Sequence, residues 1–255
     1  MNVIRVYGGI GNQLFQYAFG RAMNSPVSYN IGFYDETKEL KRKWPRPYRL
    51  DKFKTDVQLS FLLSQPTIKE RKVGFDKSLL TYRNHNFDGY WQYVDYYYEV
   101  REELKFAFHV KESFYTEDFL KWKDIIQAEQ SVGVHVRRGD YLIQKWGILP
   151  TRYYFDAIKQ VPDGPLFIFS DDINWCKEVF KEDYFSRKIY FIHLEDYLDF
   201  GLLRFCKHVI MASSTFSWWP AFLCDGVIIA PSQWLGEQFG NTSLHYPQEW
   251  IKIKI

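Results

Sequence analysis

Ser131-Val-Gly-Val-His-Val-Arg-Arg-Gly-Asp140 is the stretch on which the fold turns. Its first half is a short β-branched apolar run, as in a strand buried on both faces; its second half is two adjacent arginines, a glycine and a carboxylate. A buried strand that empties into charge delivers that charge to its carboxyl end, where open α/β sheets place their ligands. Neighbouring guanidinium groups repel one another unless an anion lies beside them, and their planar donor forks match phosphate oxygens. A solvated turn after a strand is the simpler alternative, so the segment has to be weighed with its surroundings.

Working outward, short apolar runs recur at Leu166–Phe169, Ile189–Ile192, Val209–Met211 and Val227–Ala230. Between them lie stretches of helical character at Tyr153–Val161, Trp175–Phe180, Tyr197–Phe205 and Phe216–Leu223. Strand and helix in alternation predict a five-stranded parallel sheet with right-handed crossovers. The first half begins alike, with strand Val3–Tyr7, a Gly8-Gly9-Ile10-Gly11 turn, helix Asn12–Met23 and strand Val27–Ile31. Further on, Phe87–Gln92 reads as a strand end, and Val94–Phe106 and Phe114–Ile126 as helices. Lys38–Arg49, interrupted by Trp44-Pro45-Arg46-Pro47, reads as an exposed excursion. The fold class expected is α/β with two Rossmann-like domains facing across a cleft. Residues 1–128 form the first domain and 129–255 the second, whose last helix packs back on the first.

Composition narrows the function. Thirty-three basic against 31 acidic residues give a net charge of +2, too little for a nucleic-acid or anionic-membrane surface, so any cationic site is local. Cys176, Cys206 and Cys224 are odd in number and lack metal-ligand spacing, which points to a reducing cytoplasm. No apolar run approaches the roughly 18 residues of a membrane span, so any membrane association is expected to be peripheral. The chain is rich in aromatics (20%), most of them core, although flat side chains also suit the C–H faces of sugars.

Several segments could carry chemistry. The Gly8–Gln13 turn presents backbone N–H groups at a helix start, with Gly11 and Asn12 as its ligand-facing candidates. It departs from the dinucleotide fingerprint, because Leu14 stands where a small third residue is needed. Glycines for positive φ and Asn12 as N-cap account for the turn equally well. Ser170-Asp171-Asp172 ends the second strand of the second domain. It lacks the residue between acids that an Asp-x-Asp metal site requires, and Asp172 is as readily a helix cap as a ligand. Asp196 follows the third strand, well placed for a ribose or a base edge, or as a solvated helix-start acid. Ser213, Ser214, Thr215, Phe216 and Ser217 carry more hydroxyls into a helix start than capping needs, and so read as a second phosphate cradle.

In order along the chain, Gly8-Gly-Ile-Gly-Asn-Gln-Leu-Phe-Gln-Tyr-Ala18, Gly89-Tyr-Trp-Gln92, His135-Val-Arg-Arg-Gly-Asp-Tyr141, Phe169-Ser-Asp-Asp172 with Trp175-Cys176, Cys206-Lys-His208 and Ser213-Ser-Thr-Phe-Ser-Trp-Trp219 resemble the α-1,2-fucosyltransferase family. That family shares motifs with protein O-fucosyltransferases and α-1,6-fucosyltransferases. Pro220 stands where the family has glycine. The resemblance implies a GT-B fold with the acceptor on the amino-terminal side. It implies inverting transfer of L-fucose from GDP-β-L-fucose to a glycan hydroxyl, with neither metal nor cofactor. By the same resemblance, Arg137 stabilises the departing phosphate with Arg138 in support or structurally paired to Asp140, and Ser214, Thr215 and Phe216 line pyrophosphate and fucose. His135 and Asp196 approach the guanine, Asp171 and Asp172 lie near the nucleotide, and Asn12 faces the fucose. Asp140 is the candidate general base, and a loose, oxocarbenium-like pathway with late proton loss to phosphate stands beside it. Two alternatives stand beside this reading: a GT-B transferase with another nucleotide-sugar donor or linkage, and a carbohydrate-binding relative without activity.

Overall fold

The computed structural model describes residues 1–34, 46–70, 74–144, 147–234 and 245–255. The chain divides into two compact units, Met1–Lys111 and Glu112–Ile255.

In the first unit β1 (Asn2–Arg5), β2 (Val27–Asn30), β3 (Thr67–Lys69) and β4 (Asn86–Asp88) form a parallel sheet in the order β2-β1-β4-β3. Helix α1 (Ile10–Ala22) crosses from β1 to β2 and buries Leu14, Phe15, Ala18 and Phe19 completely. The Phe19 ring stacks on the Trp91 indole at 4.3 Å, so the core of this unit is largely aromatic. Val94–Phe106 is not one helix. Two 3-10 turns precede α2 (Arg101–Ala107), because Tyr96 and Tyr97 turn inward to pack on Phe19 and Phe15. Strand β3, only three residues long, had no periodic signal to betray it. Of the predicted excursion Lys38–Arg49, residues up to 45 lie outside those described. At its end, the Gln13 amide donates to the Pro47 carbonyl at 2.8 Å and accepts from the Arg49 N–H at 2.8 Å.

In the second unit α3 (Glu117–Ala128) leads into β5 (Val132–Val136), β6 (Leu166–Ser170), β7 (Ile189–Ile192), β8 (His208–Ile210), β9 (Ile228–Pro231) and β10 (Ile251–Ile253). All six pair in parallel in the order β10-β9-β8-β5-β6-β7. Short helix α4 (Tyr141–Gln144), α5 (Thr151–Ile158), α6 (Ile173–Val179), α7 (Glu182–Phe185), α8 (Asp196–Phe205) and α9 (Thr215–Leu223) fill the connections. Gly133 lets α8 approach the sheet: a Cβ there would lie 2.5 Å from Leu203 Cδ1 and 2.9 Å from Cys206 Sγ. Helix α3, which the sequence reading gives to the first domain, packs in this unit. Its Trp122 meets Tyr190 edge-on at 5.5 Å, and its Phe119 meets Phe205 at 6.3 Å.

The sheet therefore has a sixth strand. No closing helix is present among the described residues at the carboxyl end; Ile251–Ile253 pairs instead with Ile229–Pro231. A three-residue Ile-Lys-Ile segment carries too little alternation to be recognised, and backbone pairing along the open edge of β9 decides its state. Pro220 lies inside α9, which continues through it with Trp218, Trp219 and Pro220 all buried.

Candidate functional site

The order of the second sheet fixes where a ligand belongs. From β5 the chain runs outward through β6 and β7, then returns to the other side of β5 with β8 and continues to β9. That reversal opens a crevice beyond the carboxyl ends of β5 and β8, the topological switch point of an open α/β sheet. Arg137 and Arg138 leave β5 there, and Ser213 to Ser217 leave β8 and enter α9.

Both arginines already have anionic neighbours within the chain. Arg137 pairs with Asp140, itself 2% exposed, and through its other terminal nitrogen with Asp171 at 2.9 Å. Its Nε is buried and has no hydrogen-bond partner, and its guanidinium lies 5.3 Å from the centre of the Tyr141 ring. Arg138 donates from Nε to Asp172 at 3.0 Å and lies 4.0 Å over the Trp175 ring, while its backbone N–H donates to Asp171 at 2.9 Å. Gly139 is needed because a Cβ there would collide with the Asp171 carboxylate. The anion that two adjacent guanidiniums demand is thus first a set of aspartates. Asp172 is cap and partner at once, its second oxygen accepting from Trp175 N–H at 3.3 Å. Ser170 is buried and accepts from the Asp172 N–H at 2.9 Å. Asp140, behind Arg137, is placed to orient that guanidinium; to take a proton from a hydroxyl it would have to leave it.

Across the switch point the α9 start is built as a rigid cradle. Ser214 caps the helix by accepting from the Phe216 N–H at 3.3 Å, and Thr215 and Phe216 stay partly accessible on the first turn. Ser217 is completely buried, lies 2.8 Å from His135 Nδ1 and accepts from the Ala212 N–H at 3.2 Å. His135 therefore ties β5 to α9, and the Phe216 ring covers it at 4.9 Å. Burial, aided by the charge of Arg137, pushes the imidazole down to about 3, so it is neutral at every physiological pH. Ser213 donates to the Gln233 carbonyl at 3.3 Å, and Tyr141 donates to the Ser213 carbonyl at 3.1 Å.

Other expected residues are less central. Asp196 is half-buried at the start of α8 and accepts from its neighbour's N–H, Tyr197, at 2.9 Å. Its companion Asp199 escaped the sequence reading. It is 7% exposed, accepts from the Leu194 N–H at 3.0 Å and, chiefly through burial, has its carboxyl raised to about 7. Gly11 and Asn12 belong to the first unit, in the first turn of α1. The helix begins at Ile10 with Gly9 as its N-cap, so Asn12 is not the cap; its Oδ1 accepts from Gln92 Nε2 at 2.9 Å. Tyr141, Trp175 and Gln92 lie within recognised motifs, yet only packing reveals which residue each supports. Among the described residues no group of three or more His, Cys, Asp or Glu could hold a metal ion, and no helix is long and apolar enough to cross a membrane.

Comparison with known proteins decides the family: residues 1–254 match the model of glycosyl transferase family 11. The chain belongs to that family. This transferase is 32% identical over 296 residues to an α-1,2-colitosyltransferase of Escherichia coli, covering 99% of this chain and 98% of that one. It is 31% identical to a galactoside 2-α-L-fucosyltransferase of Bos taurus over 61% of this chain and 46% of the relative. The resemblance read from the ordered motifs thus holds. Its fold is similar to that of POFUT1 solved in complex with GDP, with a TM-score of 0.51 at 10% identity, covering 88% of the transferase and 94% of that chain. A FUT1 variant of Arabidopsis thaliana in complex with GDP gives 0.50 at 12% identity, covering 89% and 69% respectively. The transferase is an α/β protein of the GT-B class, with a parallel sheet in each of its two units.

Proposed function

We propose that this glycosyltransferase moves L-fucose from GDP-β-L-fucose to a hydroxyl of a glycan acceptor, O2 of galactose, with inversion and without a metal. The observation that carries the reading is the meeting of Arg137 and Arg138 with the α9 start at the switch point, braced by the 2.8 Å contact between His135 and Ser217. Breaking the donor C1–O bond leaves its electron pair on the β-phosphate, while the acceptor oxygen bonds to C1 from the opposite face and gives up its proton. Fixed donors aimed at that developing charge lower the barrier, and removing one such donor typically costs about 10²–10³ in rate. The unpartnered Nε of Arg137 and the backbone N–H of Thr215 supply them here, with Ser214 holding the Phe216 N–H and Ser213 and Ser217 keeping the cradle in shape. Asp171 and Asp172 set the two guanidiniums. The base of the nucleotide belongs at the β7–α8 turn, near the half-buried Asp196, where a carboxylate can accept from a guanine edge. Three free cysteines favour a cytoplasmic setting.

A second reading has an observation of its own. The Escherichia coli relative matched end to end transfers colitose, which is L-fucose without its 3-hydroxyl. The same cradle suits either donor.

Thermal melts with GDP, UDP, CDP and NAD, each with and without a chelator, test the nucleotide and the metal together. GDP alone is expected to raise the melting temperature, chelator or not. A shift by UDP alone, or one abolished by chelator, defeats the proposal. Turnover of GDP-fucose against GDP-colitose then separates the two donors.

A further inference from the structure

The first unit carries a second, separately built polar and aromatic edge. Its four strands are all parallel, so their carboxyl ends line one side of the sheet. Arg5 and Asp88 are the last residues of β1 and β4, and Tyr7 and Tyr90 follow each of them by two positions. The Tyr7 ring lies 4.9 Å from that of Tyr90, the Arg5 guanidinium lies 5.8 Å from the Tyr7 centroid, and Arg5 pairs with Asp88 at 3.2 Å. Phe33, just past β2, flanks Tyr7 at 5.9 Å.

This edge is presented rigidly and remains accessible. The Glu70 carboxylate accepts from the Tyr90 N–H at 2.6 Å and the Trp91 N–H at 2.9 Å, clamping the turn that carries Tyr90. Gly89 lets Glu70 come that close, since a Cβ there would collide with the Glu70 side chain. Trp91, held at φ +58°, anchors the turn through its stack on Phe19. Yet Tyr90 is 40% exposed, and the side chains of Arg5 and Asp88 are 42% and 23% exposed. Ordering an aromatic ring in water on a fixed turn costs free energy that a folded core does not return, which points to use.

The chemistry of the edge selects its guest. A flat accessible ring suits the C–H face of a pyranose, and a carboxylate beside a guanidinium offers acceptors and donors in the spacing of vicinal hydroxyls. Arg5 and Asp88 cancel in charge, so the edge does not favour an anionic ligand over a neutral one. A nucleotide or phosphate would call for surplus positive charge. We propose that Arg5, Tyr7, Asp88 and Tyr90 form the subsite for a neutral pyranose of the glycan acceptor, its apolar face on Tyr90 and its hydroxyls on Asp88 and Arg5. The assignment to the acceptor rests on the reading of the chain as a nucleotide-sugar-dependent glycosyltransferase.

Saturation-transfer NMR on the full chain with the methyl glycosides of β-galactose, β-glucose, β-N-acetylglucosamine and α-mannose tests the subsite directly. At least one is expected to bind, with saturation strongest on the C–H protons of one face. Tyr90→Ala is expected to weaken that binding, and to raise the acceptor KM, by about tenfold or more. Tyr90→Phe, which keeps the stacking face, should stay within about twofold of the wild type, and both variants should keep the GDP-induced rise in melting temperature. Wild-type protein that binds none of the four glycosides, or Tyr90→Ala binding as the wild type does, overturns the subsite. Loss of the GDP shift in Tyr90→Ala shows that the turn is a structural support and overturns it too. The two readings fail separately. A wild-type chain that binds the glycoside through Tyr90 but ignores GDP defeats the nucleotide-sugar reading and leaves a sugar site, whereas GDP-dependent transfer indifferent to Tyr90 defeats only the subsite.

Discussion

Ser217→Ala is the sharpest probe of the proposed donor cradle, because one buried hydroxyl touches His135 and the Ala212 N–H and lies 3.5 Å from the Ala212 and Ser214 carbonyls. Its Oγ lies 2.8 Å from His135 Nδ1 and 3.2 Å from the Ala212 N–H, with Ser217 0% and His135 4% exposed. Alanine deletes the oxygen and leaves both groups buried without it, and each such loss costs about 1–3 kcal/mol. The Ala212 contact is the longer of the two, so a total of about 3 kcal/mol is expected. For a chain of this size that is a fall of about 6–12 °C in the melting transition of the second unit. Calorimetry of the apo protein measures it. The double variant His135→Phe/Ser217→Ala replaces the polar imidazole by a ring that keeps the contact with Phe216, and should recover part of the loss, so that the two substitutions are not additive. Because the imidazole is pushed down to about 3, the penalty should be the same at pH 6 and pH 8. A fall of less than about 2 °C, or strict additivity in the cycle, would show that the strand and helix are not joined through this pair.

Asp199 makes stability depend on pH in a fixed direction. Burial raises its carboxyl from 3.8 to about 7, so its protonated form is favoured in the folded chain. Its contribution is full below about pH 4 and lost as pH rises through about 7; at about 1.4 kcal/mol per unit this amounts to roughly 4 kcal/mol. Asp199→Asn still accepts from Leu194 and should flatten that limb in urea titrations at pH 5 and pH 8; an unchanged pH profile refutes the assignment. Arg138→Lys keeps the charge but loses the planar stack on Trp175 and the Nε bond to Asp172, and should weaken GDP about tenfold by calorimetric titration. Gly164→Ala drives a Cβ into the Gln130 backbone carbonyl at the amino end of β6. It should cost about 1–3 kcal/mol in urea denaturation and leave GDP affinity unchanged.

The second unit was largely legible in the sequence, and for a definite reason. Parallel strands buried on both faces read as unbroken apolar runs, and Val132–Val136, Leu166–Ser170 and Ile228–Pro231 are buried at every position. The sixth strand, Ile251–Ile253, is mostly exposed and owes its state to its partner strand. In the first unit the tyrosines around Val94 imitate a helical stripe, while their rings turn into a crowded aromatic core that breaks the helix. The clustering of Arg137, Arg138, Asp171, Asp172 and the serines followed from the rule that strand ends share an edge. The sequence reading allowed one internal pair, Arg138 with Asp140, whereas the structure distributes the pairs otherwise: Asp140 and Asp171 hold Arg137, and Asp172 holds Arg138. Asp199 was hidden because helix-start acids usually face water, and only its depth in the fold sets it apart from Asp196.

The pairing of Arg137 and Arg138 with Asp140, Asp171 and Asp172 holds both guanidiniums in one orientation within the folded chain. Long cationic side chains ordinarily give up rotamer freedom when they grip an anion, and here that loss is already met by the fold. On the proposed reading, the fold itself thus preorganises the charge that a diphosphate would meet.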